Sequence, residues 1–356
     1  YWPSSPQAGY DISQPATMDT LSSGDIHYWG VWHELHPFSR FQNYVGRFMS
    51  EYGFQSFPEI ETVKKYTLPE DRDIESEVMS AHQRSGIGNL RIKEYMSWYY
   101  EVPEDFEQFL YMSQVLQAEA IQSAIQAHRS AMPKCMGSLY WQLNDCWPVA
   151  SWASTDYFRK WKALHYKVRD VFSPVIVVPH TTNNQVVVDV ASDRTEPLDA
   201  TLEVETFSFS GKRIHSETQN LSIPANQSSR QLIKRMGDLT GKKKPEKTVT
   251  LFSLKEKGRL LHSELLYYKK PGAMDLPKNP KIRIKAVKEE RKLRMTTDKL
   301  VKNLMLEMPE EDMVLSDNYF DLLPGKPREI TWDGPAGPSN LTSAIKLRHV
   351  MSHNRP

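Results

Sequence analysis

The chain has 356 residues and only two cysteines, Cys135 and Cys146. Two thiols make neither a disulfide framework nor a metal-ligand pattern. They flank a strand-like run, and at about 3.3 Å per residue an extended strand holds its ends too far apart for a bridge. The redox compartment therefore stays open. Charge of one sign is lacking too: 45 Lys and Arg against 44 Asp and Glu leave a formal +1. That balance offers no field to recruit nucleic acid or an acidic lipid surface. No apolar run is long enough to span a bilayer, and no repeat of solenoid period is present. A hydrophobic content of 39% and a charged content of 25% are those of a soluble globular chain, long enough for two or three domains. Also missing are an initial Met, a basic leader region and an apolar leader core. Tyr1 and Trp2 read as the middle of a strand, so the chain is expected to be the C-terminal part of a longer protein.

What is abundant is aromatic side chains, 11% of the total, and all the tryptophans except Trp161 and Trp332 lie before residue 155. Tryptophan packs cores, and its flat ring also covers the apolar face of a sugar. The stretch Arg47 to Pro58 (RFMSEYGFQSFP) reads as a strand that ends on a single carboxylate, Glu51. A carboxylate there is costly to desolvate without partners. It is either a salt-bridged strand end or a nucleophile.

Along the chain, Ile26 to Trp32 reads as a strand and Gln42 to Gly46 as a short helix leading into the Glu51 strand. Pro58 to Tyr66 reads as a helix, and residues 70–95 as a charged loop insertion with short helices. Pro103 to Arg129 has helical apolar spacing. Gly137 to Leu143 reads as a strand and Tyr157 to Phe172 as a helix. After residue 172 the pattern turns to strands beginning at Val175, Gln185, Thr201, Val249 and Leu260, then a proline-rich linker over 271–280. Further strands begin at Ile282, Leu300, Glu329 and Ser343. The fold class expected is α/β plus all-β: the second half of a (β/α)8 TIM barrel over 1–172, then two β-sandwiches over 173–272 and 273–356. Three sequons, at Asn220, Asn226 and Asn340, permit glycosylation.

The strings FMSEYGFQSFPE (48–59), GDIHYWGVWH (24–33) and GSLYWQLNDCWPVASWASTDY (137–157) resemble β-mannosidases of glycoside hydrolase family 2, with YWPSSP (1–6) as a fourth segment. The likeness is dense over 1–170 and architectural beyond, where it implies immunoglobulin-like sandwiches. It implies an exo-acting retaining β-mannosidase, with Glu51 as the nucleophile that forms a covalent mannosyl-enzyme. Donors near Glu51 should hold its charge, Tyr52 or an upstream residue among them. Trp29 is expected in the wall of the sugar site, or else as an aromatic cap on the barrel core. Trp141 is expected as its floor, or else as packing of the barrel mouth. His27, Tyr28 and Trp2 complete the expected substrate-binding set. Asn144 and Asp145 bind sugar hydroxyls or, more in keeping with their position, turn the chain. Trp147 and Trp152 are expected to pack a loop.

The family's acid/base follows an Asn-Glu pair, and this chain contains no Asn-Glu dipeptide. Glu34 is a poor substitute. His33 and His36 stand three apart, unlike the zinc-peptidase spacing, so no metal is assigned. No cofactor is implied. The segment alone is expected to be inactive. The alternatives are another family 2 β-glycosidase, glucosaminidase- or galactosidase-like, or a non-catalytic carbohydrate-binding protein. The implied partner is a β-mannoside oligosaccharide. Oligomeric state is open, and lysosome, periplasm or secretion is favoured over the cytoplasm.

Overall fold

The computed structural model describes residues 4–6, 21, 24–241 and 243–352, so Trp2 lies outside the described residues. The N-terminal part is built on three short parallel strands, β1 (Ile26–His27), β2 (Phe48–Glu51) and β3 (Gly137–Ser138), adjacent in that order. Around them lie helices α1 (Gly30–His33), α2 (Ile60–Val63), α3 (Glu77–Ala81), α4 (Gly88–Tyr99), α5 (Phe106–Ser130) and α6 (Ala163–Val171). No helix among the described residues is long and apolar enough to cross a membrane.

Both outer strands are shorter than their β-rich composition suggests. The strand expected over 26–32 ends at His27, because the chain turns into α1 where Gly30 packs against the Tyr28 and His36 rings. The strand expected over 137–143 keeps regular pairing only to Ser138. Single bonds continue it, from Leu139 N–H to the Met49 carbonyl (2.9 Å) and from Trp141 N–H to the Tyr52 carbonyl (2.7 Å). The helix expected from Tyr157 begins at Ala163, since residues 155 and 161 bridge each other and hold the intervening segment in a turn. The short helix expected over 42–46 is a 3-10 turn over Phe38–Asn43. Helix α5 starts after Asp105, whose side chain accepts the Gln108 N–H at 2.7 Å as its N-cap.

The rest of the chain is antiparallel. Strands β4 (Val175–Thr182), β5 (Gln185–Ser192) and β8 (Gln227–Arg235) form one sheet, in the order β4-β5-β8. The sheet facing it is β10-β9-β6-β7, from β6 (Leu198–Ser208), β7 (Arg213–Ile223), β9 (Thr248–Glu256) and β10 (Arg259–Tyr267). Between them lies a core that includes Val177, Val188, Leu202, Phe252 and Leu254. β4 and β5 read as unbroken apolar runs because both of their faces are covered: Ile176, Val178 and Ala191 pack outward on Met132, just past α5. β7 and β8 are edge strands of polar composition. Hydrophobic patterning does not find such strands, since their side chains mostly face solvent.

A second two-sheet unit follows, with strands β11 (Ile282–Val287), β12 (Lys292–Thr297), β13 (Val301–Glu307), β14 (Val314–Leu315), β15 (Phe320–Leu322), β16 (Arg328–Asp333) and β17 (Lys346–Arg348) in sheets ordered β11-β12-β16-β14 and β15-β13-β17. Trp332, 1% exposed, centres its core. The strand expected from Ser343 begins at Lys346, after a helical turn over Leu341–Ala344. All three sequon asparagines are exposed, and Cys135 and Cys146 are free thiols.

The three parts meet around a cavity of about 830 Å³ whose lining mixes apolar residues with a cluster of charged side chains. Glu119 of α5 accepts both from Lys302 Nζ (2.9 Å) and from the Tyr100 hydroxyl (2.7 Å), and Asp321 accepts from the Tyr267 hydroxyl (2.6 Å). Lys302 is buried. Removing one member of a buried pair leaves the other uncompensated. Lys302→Met is therefore expected to destabilise the chain by about 3 kcal/mol, read by urea unfolding. A midpoint unchanged from the parent would show that the junction does not hold the second sandwich in place.

Candidate active site

Glu51 ends β2, and β1 lies alongside it with His27 as its direct register partner. Adjacent parallel strands put partnered side chains on the same face. His27 Nδ1 accordingly lies 3.0 Å from Glu51 Oε2, with both side chains 22% exposed. The other ring nitrogen, Nε2, is 2.9 Å from Ser5 Oγ. The Ser5 and Ser50 hydroxyls both donate to Asp25 Oδ2, at 2.5 and 2.6 Å. The side chain that faces Glu51 is thus the upstream residue His27, and Tyr52 is turned away.

Strand alternation explains the difference, because it sends Tyr52 to the opposite face. There the Tyr52 hydroxyl meets Ser138 Oγ at 2.7 Å, and Ser138 Oγ meets His128 Nδ1 at 2.8 Å. Burial raises the Tyr52 hydroxyl above its ordinary range and pushes His128 down to about 3, so this inner network is neutral. Glu59, which ends the motif, points toward the second sandwich. The Tyr319 hydroxyl reaches it at 3.4 Å, and burial raises its carboxyl to about 7.

Gly53, two residues past Glu51, brings the tryptophans together. A Cβ there would lie 2.5 Å from the Trp141 carbonyl oxygen, 2.9 Å from the Trp29 ring and 3.0 Å from the Trp152 ring. Trp29 and Trp152 meet edge to face at 5.9 Å, above the fully buried Trp32. Trp141 is 43% exposed, and Trp29 is half-buried. Glu51 is therefore followed by a patch of accessible indole.

Two members of the expected set have protein partners in this structure. Tyr28 is 1% exposed, stacked on Tyr44 at 4.5 Å and bonded through its hydroxyl to His36 Nδ1 at 3.0 Å, so it offers no surface to a ligand. His27 faces Glu51 through Nδ1 and Ser5 through Nε2. Asp145 has the turn role: its carboxylate accepts from Ser151 Oγ (2.7 Å) and Gln142 Nε2 (3.1 Å). Glu34 lies 3.5 Å from His36 Nε2 at the end of α1. Trp147 packs beside His82 at 4.9 Å.

Sequence reasoning missed Ser5, Ser50, Asp25 and Gln117. The Asp25-x-His27 spacing on a strand was the available signal for Asp25. Gln117 of α5 gave none. Its amide donates to the Phe54 carbonyl (2.8 Å) and the Trp152 carbonyl (3.1 Å), and its oxygen accepts from Ser56 (2.6 Å). It also missed a group whose ligand atoms lie within 4.8 Å, Asp170, His262 and Glu264. There His262 Nδ1 accepts the Val177 N–H at 3.3 Å. Its proton therefore sits on Nε2, facing Asp170 at 3.7 Å, and that nitrogen has no free lone pair for a cation.

Comparisons with known proteins agree with this architecture. Residues 184–271 match the Mannosidase Ig/CBM-like domain, and residues 277–353 match the Ig-fold domain of mannosidases. Beta-mannosidase B of Aspergillus fumigatus is 29% identical over 94% of this chain and 41% of its own length. The beta-D-mannosidase of Dictyoglomus thermophilum superposes with a TM-score of 0.84 at 28% identity, over 93% of this chain and 41% of that one. An exo-chitosanase of Amycolatopsis orientalis, 14% identical, shares the fold with a TM-score of 0.66, over 92% of this chain and 44% of that one. The resemblance read from the sequence is thus upheld over nearly the whole chain, which spans about two-fifths of the length of these relatives.

Gly53→Ala is expected to displace Trp141 or the Trp29–Trp152 pair and to cost about 1–3 kcal/mol, with altered tryptophan fluorescence; an unperturbed spectrum and stability would refute the close approach. A second prediction concerns Lys162, buried beneath the Asp145 turn with Nζ 3.2 Å from the Ser56 carbonyl. Burial pushes it down to about 8, against the pull of Asp145 and Asp156. Above pH 8 the folded lysine is neutral, while the unfolded one keeps its proton to about 10.5. The unfolded state then binds more protons, so stability rises with pH across that window. Measured against Lys162→Met, the wild type should gain stability between pH 8 and about 10.5; parallel curves would show that the lysine is not desolvated.

Proposed function

We propose that this chain carries the nucleophile half of an exo-acting retaining β-mannosidase, which removes terminal β-linked mannose from oligosaccharides. The observation that carries the reading is Glu51 itself. It is a partly buried carboxylate at the end of a parallel strand, beside a histidine and followed by accessible Trp29 and Trp141. The names of the β-mannosidases that this chain resembles support the sugar.

In this reading β1, β2 and β3 belong to the second half of a (β/α)8 barrel, whose chemistry gathers at the C-terminal ends of the strands. Exposed apolar side chains on these strands and just beyond them, Phe48, Met136, Leu139 and Leu143, favour further strands beside them. Glu51 attacks the anomeric carbon and forms a mannosyl ester while a carboxylic acid protonates the leaving oxygen; water then releases mannose. The two carboxyls must stand about 5–5.5 Å apart. The acid comes from a segment outside this chain, because the chain lacks the Asn-Glu pair and Glu34 is engaged with His36. Trp29 and Trp141 cover the apolar face of the sugar.

The test is the intact mass of the whole protein after treatment with 2-deoxy-2-fluoro-β-mannosyl fluoride, whose fluoride departs without acid assistance. A gain of one fluoromannosyl group, abolished by Glu51→Gln, is expected. No adduct on a chain that also carries the acid would sink the reading. The 356-residue segment alone is expected not to turn over an aryl β-mannoside, and near-enzyme rates from it would overturn the division of labour.

A further inference from the structure

The formal +1 of the whole chain hides a local imbalance. Nine of the twelve charged residues over 278–299 are Lys or Arg. They fall on β11 and β12 of the second sandwich and on the segments beside them. Ile282, Ile284 and Ala286 of β11 and Leu293 and Met295 of β12 face the core, so alternation turns Arg283, Lys285, Lys292 and Arg294 outward. Arg283, Lys285 and Arg294 are exposed. The register sets Lys285 directly opposite Arg294. Like charges that face each other across a ladder destabilise it. The acidic side chains of this face serve the other two cations. Glu329 of β16 lies 3.7 Å from Arg294 and 3.9 Å from Lys292, and Glu290 lies 2.5 Å from Lys292. The Arg283 and Lys285 side chains have no ion pair or hydrogen bond among the described residues. β11 is the outermost strand of its sheet. A lysine on an edge strand discourages pairing with another chain, but that purpose asks nothing of Arg294 one strand in.

We propose that the outer face of β11 and β12 is a docking surface for a linear acidic polysaccharide. Charge complementarity is the argument. Arg283 and Lys285 stand about 7 Å apart along the edge, and Arg294 widens the row to two strands. A guanidinium holds a sulfate or carboxylate through two parallel hydrogen bonds, and an ammonium adds a point charge. An anionic group between Lys285 and Arg294 turns their repulsion into a shared attraction. The other outward side chains of the two strands are Val287 and Thr296. Single-stranded nucleic acid calls for aromatic stacking platforms, and a membrane calls for a broad apolar face; this surface has neither. The proposal is independent of the Glu51 site and of the reaction assigned to it.

The experiment measures binding of fluorescein-labelled heparin to the full chain by anisotropy, between about 50 and 200 mM salt. Affinity should fall as salt rises, because the bound cations release condensed counterions. Arg283→Gln combined with Lys285→Gln should weaken binding about tenfold at low salt and flatten the salt dependence, with the circular dichroism spectrum unchanged. Lys243→Gln combined with Lys244→Gln removes the same charge from an exposed loop of the first sandwich and should bind as the parent does. Phosphatidylserine vesicles and a thymidine oligonucleotide should compete poorly at equal charge. Absence of heparin binding overturns the proposal. So does an equal loss in the two double variants, which would mean attraction to net charge alone. Competition by the vesicles or the oligonucleotide at equal charge overturns it as well, by assigning the face to another partner.

Discussion

The candidate site depends on a contact that leaves no room for a side chain. β2 runs past Glu51 into Gly53, and the chain beyond β3 crosses there so closely that a Cβ would overlap the Trp141 carbonyl. That crossing sets where Trp141 stands relative to Glu51, and it lets Trp29 and Trp152 close in from the other side. The bond from Trp141 N–H to the Tyr52 carbonyl fixes the crossing in register. Any larger residue would push the tryptophans apart and open the wall beside the carboxylate.

Such a crossing has little regular pairing, so its backbone groups need other partners. Gln117 supplies them from α5, since one amide bonds the segment after Glu51 and the segment after Trp141 together. Lys162 does the same from the next layer, where its ammonium reaches the Ser56 and Ser151 carbonyls. These residues are buried and polar because they replace a strand ladder that the irregular loop cannot make. The loop is held by side chains from two helices, which makes the position of Trp141 a property of the helical layer as much as of the sheet.

That division explains what could be read from the sequence. The existence of α5, of the apolar strands β4, β5, β6 and β9, and of the Glu51 strand was legible, because each carries a strong hydrophobic period. β7, β8 and β12 were not, since polar strands with at most one buried face look like loops. In the site, the residue types near Glu51 were legible and their pairing was not. Tyr52 faces away by strand alternation, but that His27 faces the carboxylate depends on a register shift between Ile26 and His27 in the β1–β2 pairing, which residue composition does not encode. The part played by Ser5 depends on a contact between segments twenty residues apart.

The junction of the three parts adds paired charges to apolar packing. Each sandwich encloses an apolar core, and where they meet α5 apolar residues such as Leu265, Met305 and Leu323 pack beside a cluster of Glu119, Lys302, Asp321, Glu264 and their tyrosine and glutamine partners. Gln122 and Gln126, one helical turn apart on α5, both donate to Glu264 of β10, at 2.7 and 2.8 Å. Apolar packing alone would tolerate sliding, because it is not directional. Paired charges and their hydrogen bonds reward one arrangement and leave buried charges uncompensated in every other. The same helix that carries Gln117 to the Glu51 segment thus carries Glu119, two residues on, to the junction. A shift of either sandwich against α5 would break charged bonds at the junction, on the same turn of helix that sets the geometry beside Glu51.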